Sequence, residues 1–448
     1  MSTAAGSSRY VVLGLAPARA AWFSSLGLWA NAGALPVEFV KCLSAEEVRV
    51  RLRSGRPLSA VVADAELPAI DRDLVAAARA ANCAVILVAD PRRPTPSLPD
   101  VTAVLEPRFG RDELLAALRA GATPVPHATA DATVVDLLPR RHDGATAPAP
   151  EGAHRTPSTL VALTGPGGTG VSVAAMALAR ALGRADAPPP GGVVLADLCL
   201  NAEQGLFHGR DEPGPGLQEL VEASRRGEPS PETVRSLAGS GRQHTYDLLT
   251  GLRRARLWPV VRPRAFEAAL AALGRTYGGV VCDTDADFEG EAEGGSADVE
   301  DRHVMARTVA ARADAVLVVG LASLKGIHGL VRVLGDVAHL GVSPNRTVAV
   351  VNRMPRSPRD RARVASAVAD LALAATGTTP GGLVFLPEDD VEVRLRDGRA
   401  MPAALGAPLA GALAAVLERA SPGGTGHEAD PGTPVRVRPG SLGVWAGA

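Results

Sequence analysis

Gly165-Pro166-Gly167-Gly168-Thr169-Gly170-Val171-Ser172 gathers four glycines and two hydroxyl side chains into one short segment. A glycine-dense backbone can turn its N–H groups onto an anion, and a serine hydroxyl is an acceptable Mg²⁺ ligand. The chemistry on offer is phosphate binding. The spacing from Gly165 through Gly170 to Ser172 is that of G-x-x-x-x-G-K-[ST], but Val171 stands where a lysine would reach the phosphates. Two carboxylates close apolar runs elsewhere: Asp197 after Val193-Val194-Leu195-Ala196, and Asp283 after Val280-Val281-Cys282. Carboxylates at strand ends can cap the helices that follow. The glycine run likewise has a plain alternative, a structural turn without a ligand.

These residues need a scaffold that ends strands and starts helices at one edge. Leu160-Val161-Ala162-Leu163 reads as a buried strand feeding the glycine turn, and Val173-Ala174-Ala175-Met176-Ala177-Leu178-Ala179 as the helix leaving it. Strand-like runs and amphipathic stretches alternate five times over residues 10–120, which implies parallel βαβ units in a doubly wound sheet. Over residues 124–157 the hydrophobic period disappears and Pro, Ala, Thr and His dominate, the composition of a flexible linker. A second α/β domain follows over 158–420, with polar surface loops at 185–192 and 289–300; the Gly/Pro-rich residues 421–448 read as a disordered tail.

Lys+Arg 47 against Asp+Glu 48 gives a net charge of −1, so no global basic field points to nucleic acid. The densest arginine patch, Arg353, Arg356, Arg359, Arg361 and Arg363, reads as solvated surface. Only Lys41 and Lys325 are lysines, and the excess of Ala, Gly, Pro and Arg suits a GC-rich, actinobacterial-type genome. Cys42, Cys83, Cys199 and Cys282 are scattered and read as reduced, packed thiols. No signal peptide is evident and no apolar run reaches the ~18 residues needed to span a bilayer, so a cytoplasmic protein is expected. The tail after Pro422 lacks an amphipathic period, which argues against direct membrane insertion.

The order of pieces over 158–420 resembles the MinD/ParA superfamily of deviant P-loop ATPases, whose loop reads G-K-G-G-x-G-K-[ST]. By that resemblance Pro166 replaces the signature lysine that reaches across a nucleotide-sandwich dimer, Val171 replaces the second lysine, and Ser172 keeps the Mg²⁺ hydroxyl. Asp197-Leu198-Cys199 matches a D-x-D pattern whose second carboxylate, here a thiol, serves metal and water. Asp197 is therefore also the one candidate catalytic carboxylate, and Asp283 falls at the Walker B position. The strand ending Asn352-Arg353 matches one whose Asn contacts adenine in relatives, and Leu386-Pro387-Glu388-Asp389 matches a segment beside the base. The nucleotide set implied is Gly165, Gly167, Gly168, Thr169, Gly170, Val171, Ser172, Val173, Asn352, Arg353 and Pro387, with Ser172, Asp197 and Asp283 for metal. ATP and Mg²⁺ are the implied cofactors, bound weakly or not at all, with hydrolysis weak or absent. Lys325 is the default replacement cation, though a solvated helix-start lysine accounts for it as well.

Residues 1–123 resemble a CheY-like receiver: Val61-Val62-Ala63-Asp64 matches the strand that ends in a phospho-acceptor. Gly14-Leu15-Ala16 lacks the acidic pair, and Glu106-Pro107 replaces Lys-Pro, so a pseudo-receiver is expected and phosphorylation of Asp64 is not. A degenerate receiver ahead of a MinD-like domain resembles the CpaE/TadZ proteins of Flp-type pilus assembly and, more nearly, actinobacterial septum site-determining (Ssd) relatives. That resemblance implies a spatial regulator of division or pilus assembly, a homodimer acting through protein partners that recruit it to septum, pole or membrane. The alternative is an active MinD-type ATPase cycling between monomer and ATP-bound dimer.

Overall fold

The computed structural model describes residues 8–126 and 158–420, except 18–19, 43, 94, 211–213, 241–244 and 291–296. The expected linker falls largely, and the expected tail wholly, outside the described residues. Two sheets of the doubly wound kind carry the chain. In the first, β1 (Ser8–Leu15), β2 (Val37–Cys42), β3 (Ala60–Asp64), β4 (Ala84–Val88) and β5 (Ala103–Leu105) lie in the order β2-β1-β3-β4-β5, all parallel. This is the flavodoxin-like order. The short β6 (Val125–Pro126) returns antiparallel on β1, so the unit runs past the expected boundary at residue 123.

Four helices accompany this sheet: α1 (Ala21–Asn31), α2 (Ala45–Arg53), α3 (Arg72–Ala80) and α4 (Arg111–Gly121). Two hydrophobic clusters cover its faces, one around Val48, Ile70 and Leu74, the other around Trp22, Leu26 and Leu114. The fourth strand–helix alternation fails. Among the described residues no helix joins β4 to β5, because Pro91, Pro96 and Pro99 remove helix N–H donors through that connection.

The second sheet has the order β14-β13-β12-β7-β11-β8-β10-β9. Its strands are β7 (Thr159–Thr164), β8 (Val193–Leu198), β9 (Gly239–Ser240), β10 (Asp247–Leu249), β11 (Gly279–Thr284), β12 (Ala315–Leu321), β13 (Thr347–Met354) and β14 (Gly382–Pro387). All pairings are parallel except β9 on β10. Buried on both faces, these strands are nearly continuous Val, Leu and Ala, as a parallel sheet requires. The chain turns to opposite sides of β7 in its first and later crossovers, and ligands of open α/β sheets bind at the carboxyl ends of strands at such a switch point. α5 (Val171–Gly183) leaves β7 there; α6 (Gln204–Phe207), α7 (Leu217–Arg226), α8 (Pro231–Leu237) and α9 (Pro263–Thr276) follow on the β8 side. The loop expected over 289–300 includes the start of a helix, Ala297–Arg302.

By length and composition one helix among the described residues, Ala403–Ala420, could cross a membrane, which corrects the expectation that no run is long enough. It packs on α5 and β14, burying Leu405, Leu409, Leu413 and Val416 at three- and four-residue spacing. Its apolar length is the length of a core-facing helix.

The two units cap one another's helix ends. Asp71, fully buried, accepts the N–H of Leu74 at the start of α3 and forms ion pairs with Arg49 at 3.2 Å and, from the second unit, Arg225 at 2.7 Å. Arg72 donates to the carbonyls of Ser224 and Gly227 at the end of α7. Asp73 accepts the N–H of Arg264 in the first turn of α9, and Arg226 donates to the Ala65 carbonyl. The Arg72 and Asp73 contacts satisfy helix ends left open by their own helices, while the Ala65 carbonyl belongs to the turn after β3.

Candidate functional site

The glycine turn closes tightly over β7. A Cβ at Gly165 would stand 2.2 Å from the Val319 carbonyl oxygen, so only glycine lets β7 and β12 converge. Gly170 has φ +91°, and a Cβ there would meet Asn352 Nδ2 at 2.5 Å. Asn352 donates from Nδ2 to the Thr169 carbonyl at 2.9 Å, and the Thr169 hydroxyl donates to the Pro166 carbonyl at 2.7 Å. α5 then starts with no capping side chain and no acid in its first turn. Its first N–H groups are thus left for an anion, together with exposed Gly167 and Gly168. Pro166 rests on the later helix Leu324–His339, where a Cβ at Gly329 would lie 2.9 Å from its Cγ. The proline therefore packs the loop against that helix.

Strand register builds the acidic floor. β8 and β11 pair with Asp197 opposite Asp283, and β7 and β11 with Leu163 opposite Asp283. Two residues beyond Asp197, on the same face by the strand period, comes Cys199; two beyond Asp283 comes Asp285. Asp285 accepts the Leu200 N–H at 2.6 Å, and its own carbonyl takes the Thr164 hydroxyl at 2.8 Å. Gln204, fully buried, bridges the pair: its backbone N–H donates to Asp197 at 2.8 Å and its Nε2 to Asp283 Oδ2 at 2.8 Å and the Ser172 carbonyl at 3.1 Å. Nothing in the sequence marked Gln204, since its role exists only once α6 is laid across β8 and β11.

Burial raises both carboxyl groups. Asp197 is driven well above the carboxylate range by burial and then by the charge of Asp283; Asp283 is pushed up to about 6, again by burial, against the Gln204 hydrogen bond that favours its anion. Burial and the same carboxylates raise the Cys199 thiol too, so it is a packed thiol and not a free thiolate. The linkage has a definite sign. A carboxyl whose folded pKa exceeds its unfolded value of 3.8 leaves the fold less stable as pH rises from there to about 6, and the loss is complete above 6. Asp283→Asn is therefore expected to raise the melting temperature of metal-free protein near neutral pH, with the gain shrinking towards about pH 5. Melting curves across that range check it; a gain independent of pH would contradict it.

Two adjoining clefts open over this floor. One of about 600 Å³ is lined by the glycine loop, Ser172, Cys199 and Asp283; one of about 500 Å³ is lined by Asn352, Pro387 and Leu386. They share Gly170, Val173 and Arg353, and each lies within the size range of small-molecule sites. Arg353 reaches this junction because β13 bulges between Val351 and Met354, giving Arg353 a φ of +52°. Every residue of the sequence-derived set thus lies at or beside one connected cavity. Asn352 differs in role: its Nδ2 holds Thr169, and its Oδ1 accepts the Arg353 N–H at 2.8 Å, so it braces the loop.

Charge in the loop-side cleft is mostly negative. Glu203, Asp283, Asp285, Asp287 and Glu392 line it, against Arg332 and Arg353. Lys325 lies outside it, exposed in the first turn of the helix Leu324–His339; Arg332 of that helix, paired with Asp336 at 3.3 Å, is the cation the fold brings to the cleft. The oxygen donors Ser172, Asp197 and Asp283 fit Mg²⁺, which takes oxygen ligands, and Asp283 Oδ1 is buried without a hydrogen-bond partner. The thiol of Cys199 is the one donor in the cluster that does not suit that ion.

In the first unit Asp64 ends β3, and its Oδ1 accepts the Glu66 N–H at 2.9 Å in a local turn. Where an acidic pair would follow β1, a Cβ at Gly14 would stand 2.4 Å from the Phe39 ring. Aromatic packing of Phe23 on Phe39 fills that end.

No protein-family model matches the chain, and no curated protein matches it. Solved structures similar to it are ATPases of the ParA and MinD families. A ParA family ATPase from Chlorobium tepidum aligns at 16% identity and TM-score 0.43, covering 57% of this chain and 99% of its own. The cell division ATPase MinD of Pyrococcus furiosus aligns at 20% identity and TM-score 0.42, covering 59% of this chain and 100% of its own. MinD in the MinC:MinD complex of Aquifex aeolicus aligns at 16% identity and TM-score 0.39, covering 59% and 95%. Such values leave function to the geometry of the site.

Proposed function

We propose that this chain is a positioning scaffold of the septum site-determining, CpaE-like kind, which binds Mg-ATP weakly in the two-part cleft and acts through protein contacts. The observation that carries the proposal is the loop-side cleft: a phosphate cradle with its glycines, Ser172 and Asp283 intact and Asp197 buried beside Asp283, but with Val171 and Pro166 where cations would stand and Cys199 where a carboxylate would orient water. Anionic nucleotide over an acidic floor needs a divalent ion to enter, and the transition state lacks the charges that speed phosphoryl transfer. Binding survives such losses better than turnover.

In the same reading the first unit is a CheY-like pseudo-receiver serving as a docking module, supported by its β2-β1-β3-β4-β5 order and by the lost acidic pair. Homodimerisation, partners in division or pilus machinery, and recruitment from the cytoplasm to septum or pole complete the proposal. Arg332 in the cleft favours one second reading, an active ATPase in which an arginine replaces the lysine. Equilibrium binding of Mg-ATP to the full chain, with Gly170→Arg as control, tests the scaffold. Weak binding abolished by the control is expected, because a side chain at that φ both strains the turn and strikes Asn352. Equal binding by the control, or none by either protein up to millimolar ATP, would remove the nucleotide from the account.

A further inference from the structure

We propose that Asp197, Cys199 and Asp283 form a site for a borderline divalent cation of the Zn²⁺ and Co²⁺ class, held by the protein without nucleotide. Their ligand atoms lie within 4.8 Å of one another, brought together by the in-register pairing of β8 with β11 and the two-residue step from Asp197 to Cys199. The donor set selects the ion. Mg²⁺ takes oxygen alone, whereas a cysteine sulfur that gives up its proton to solvent as the ion binds, together with carboxylates, suits Zn²⁺ or Co²⁺.

A second observation points to a ligand at this place. Asp283 is 2% exposed, and its Oδ1 has no hydrogen-bond partner, while Gln204 Nε2 holds the other oxygen at 2.8 Å. Buried polar atoms in folded proteins are almost always paired, so an orphaned carboxylate oxygen beside a thiol and a second carboxylate points to a ligand there. Gln204 acts as the outer partner that orients Asp283, and its backbone N–H does the same for Asp197. Three protein ligands leave one position open, the pattern of zinc sites that bind water or a further ligand. Cys199 and Asp283 line the cleft under the glycine loop, so the open position faces that cleft. The site shares Asp197 and Asp283 with the Mg²⁺ position of the nucleotide reading but adds Cys199, and a titration without nucleotide tests it apart from that reading.

The test is titration of metal-free, full-length protein with Co²⁺ in the absence of nucleotide. One equivalent is expected to bind with a thiolate-to-cobalt charge-transfer band, to be displaced by Zn²⁺ and to resist excess Mg²⁺. Cys199→Ser should abolish the band, Cys282→Ala should keep it, and Asp283→Asn should weaken Co²⁺ binding about ten-fold or more. Zn²⁺ should also slow alkylation of Cys199 in the unaltered protein, a readout that needs no variant to fold. No band, a band that survives Cys199→Ser, ready displacement by Mg²⁺, or alkylation indifferent to Zn²⁺ would each overturn the proposal.

Discussion

Val171→Lys is expected to tighten Mg-ATP binding by roughly 10- to 150-fold, the effect of one charged hydrogen bond to phosphate at about 1.5–3 kcal/mol. Val171 opens α5 and lines the loop-side cleft, so a lysine there extends over the same floor as Ser172 and Asp283. Those acids will attract the new cation in empty protein as well, which sets the gain towards the lower end of the range. Phosphate release should stay at the control level, because Cys199 remains where water would need a carboxylate and Pro166 remains fixed on Gly329. Calorimetric titration and a phosphate assay on the same samples check both parts. Unchanged affinity would show that the cleft does not hold phosphate in this pose.

Asp71→Ala is expected to destabilise the protein by about 3–5 kcal/mol, the cost of removing one partner from a buried ion pair. Asp71 is fully buried, with Arg49 on one oxygen and Arg225 on the other, and it also caps α3. Without it two arginines face each other across the boundary between the units. Asp71→Asn, which can still cap α3, should cost less. Urea unfolding followed by tryptophan fluorescence, with Trp22 and Trp29 in the first unit and Trp258 in the second, measures the difference. A loss below about 1 kcal/mol would mean that the arginines are already solvated and the contact between units carries little energy.

How far these features are legible in the sequence depends on the range of the interaction behind them. β7, read as the apolar run Leu160–Leu163 before a glycine turn, extends one residue further at each end to Thr159–Thr164, and the carboxylates at the ends of β8 and β11 were placed by the same logic. Local chain chemistry decides such elements. Gln204 was silent because a polar residue in Asn201-Ala202-Glu203-Gln204 has no spacing to any motif; only the packing of α6 over two strands gives it partners. Arg332 and Asp71 were hidden for the same reason, the one reaching the loop from a distant helix and the other meeting its second cation in a different unit. Asn352 was found as a site residue, yet its hydrogen bond to Thr169 could not be read from strand pattern alone. The helix Ala403–Ala420 shows the reverse limit, since composition cannot separate a core helix from a membrane span until its buried face is known.

Phosphate release under saturating Mg-ATP, compared between the unaltered full chain and Gly170→Arg, tests the central claim most directly. Bound nucleotide that stays intact, with release equal to the control, is the predicted result. Release well above the control would contradict it and would make Arg332 the first residue to replace.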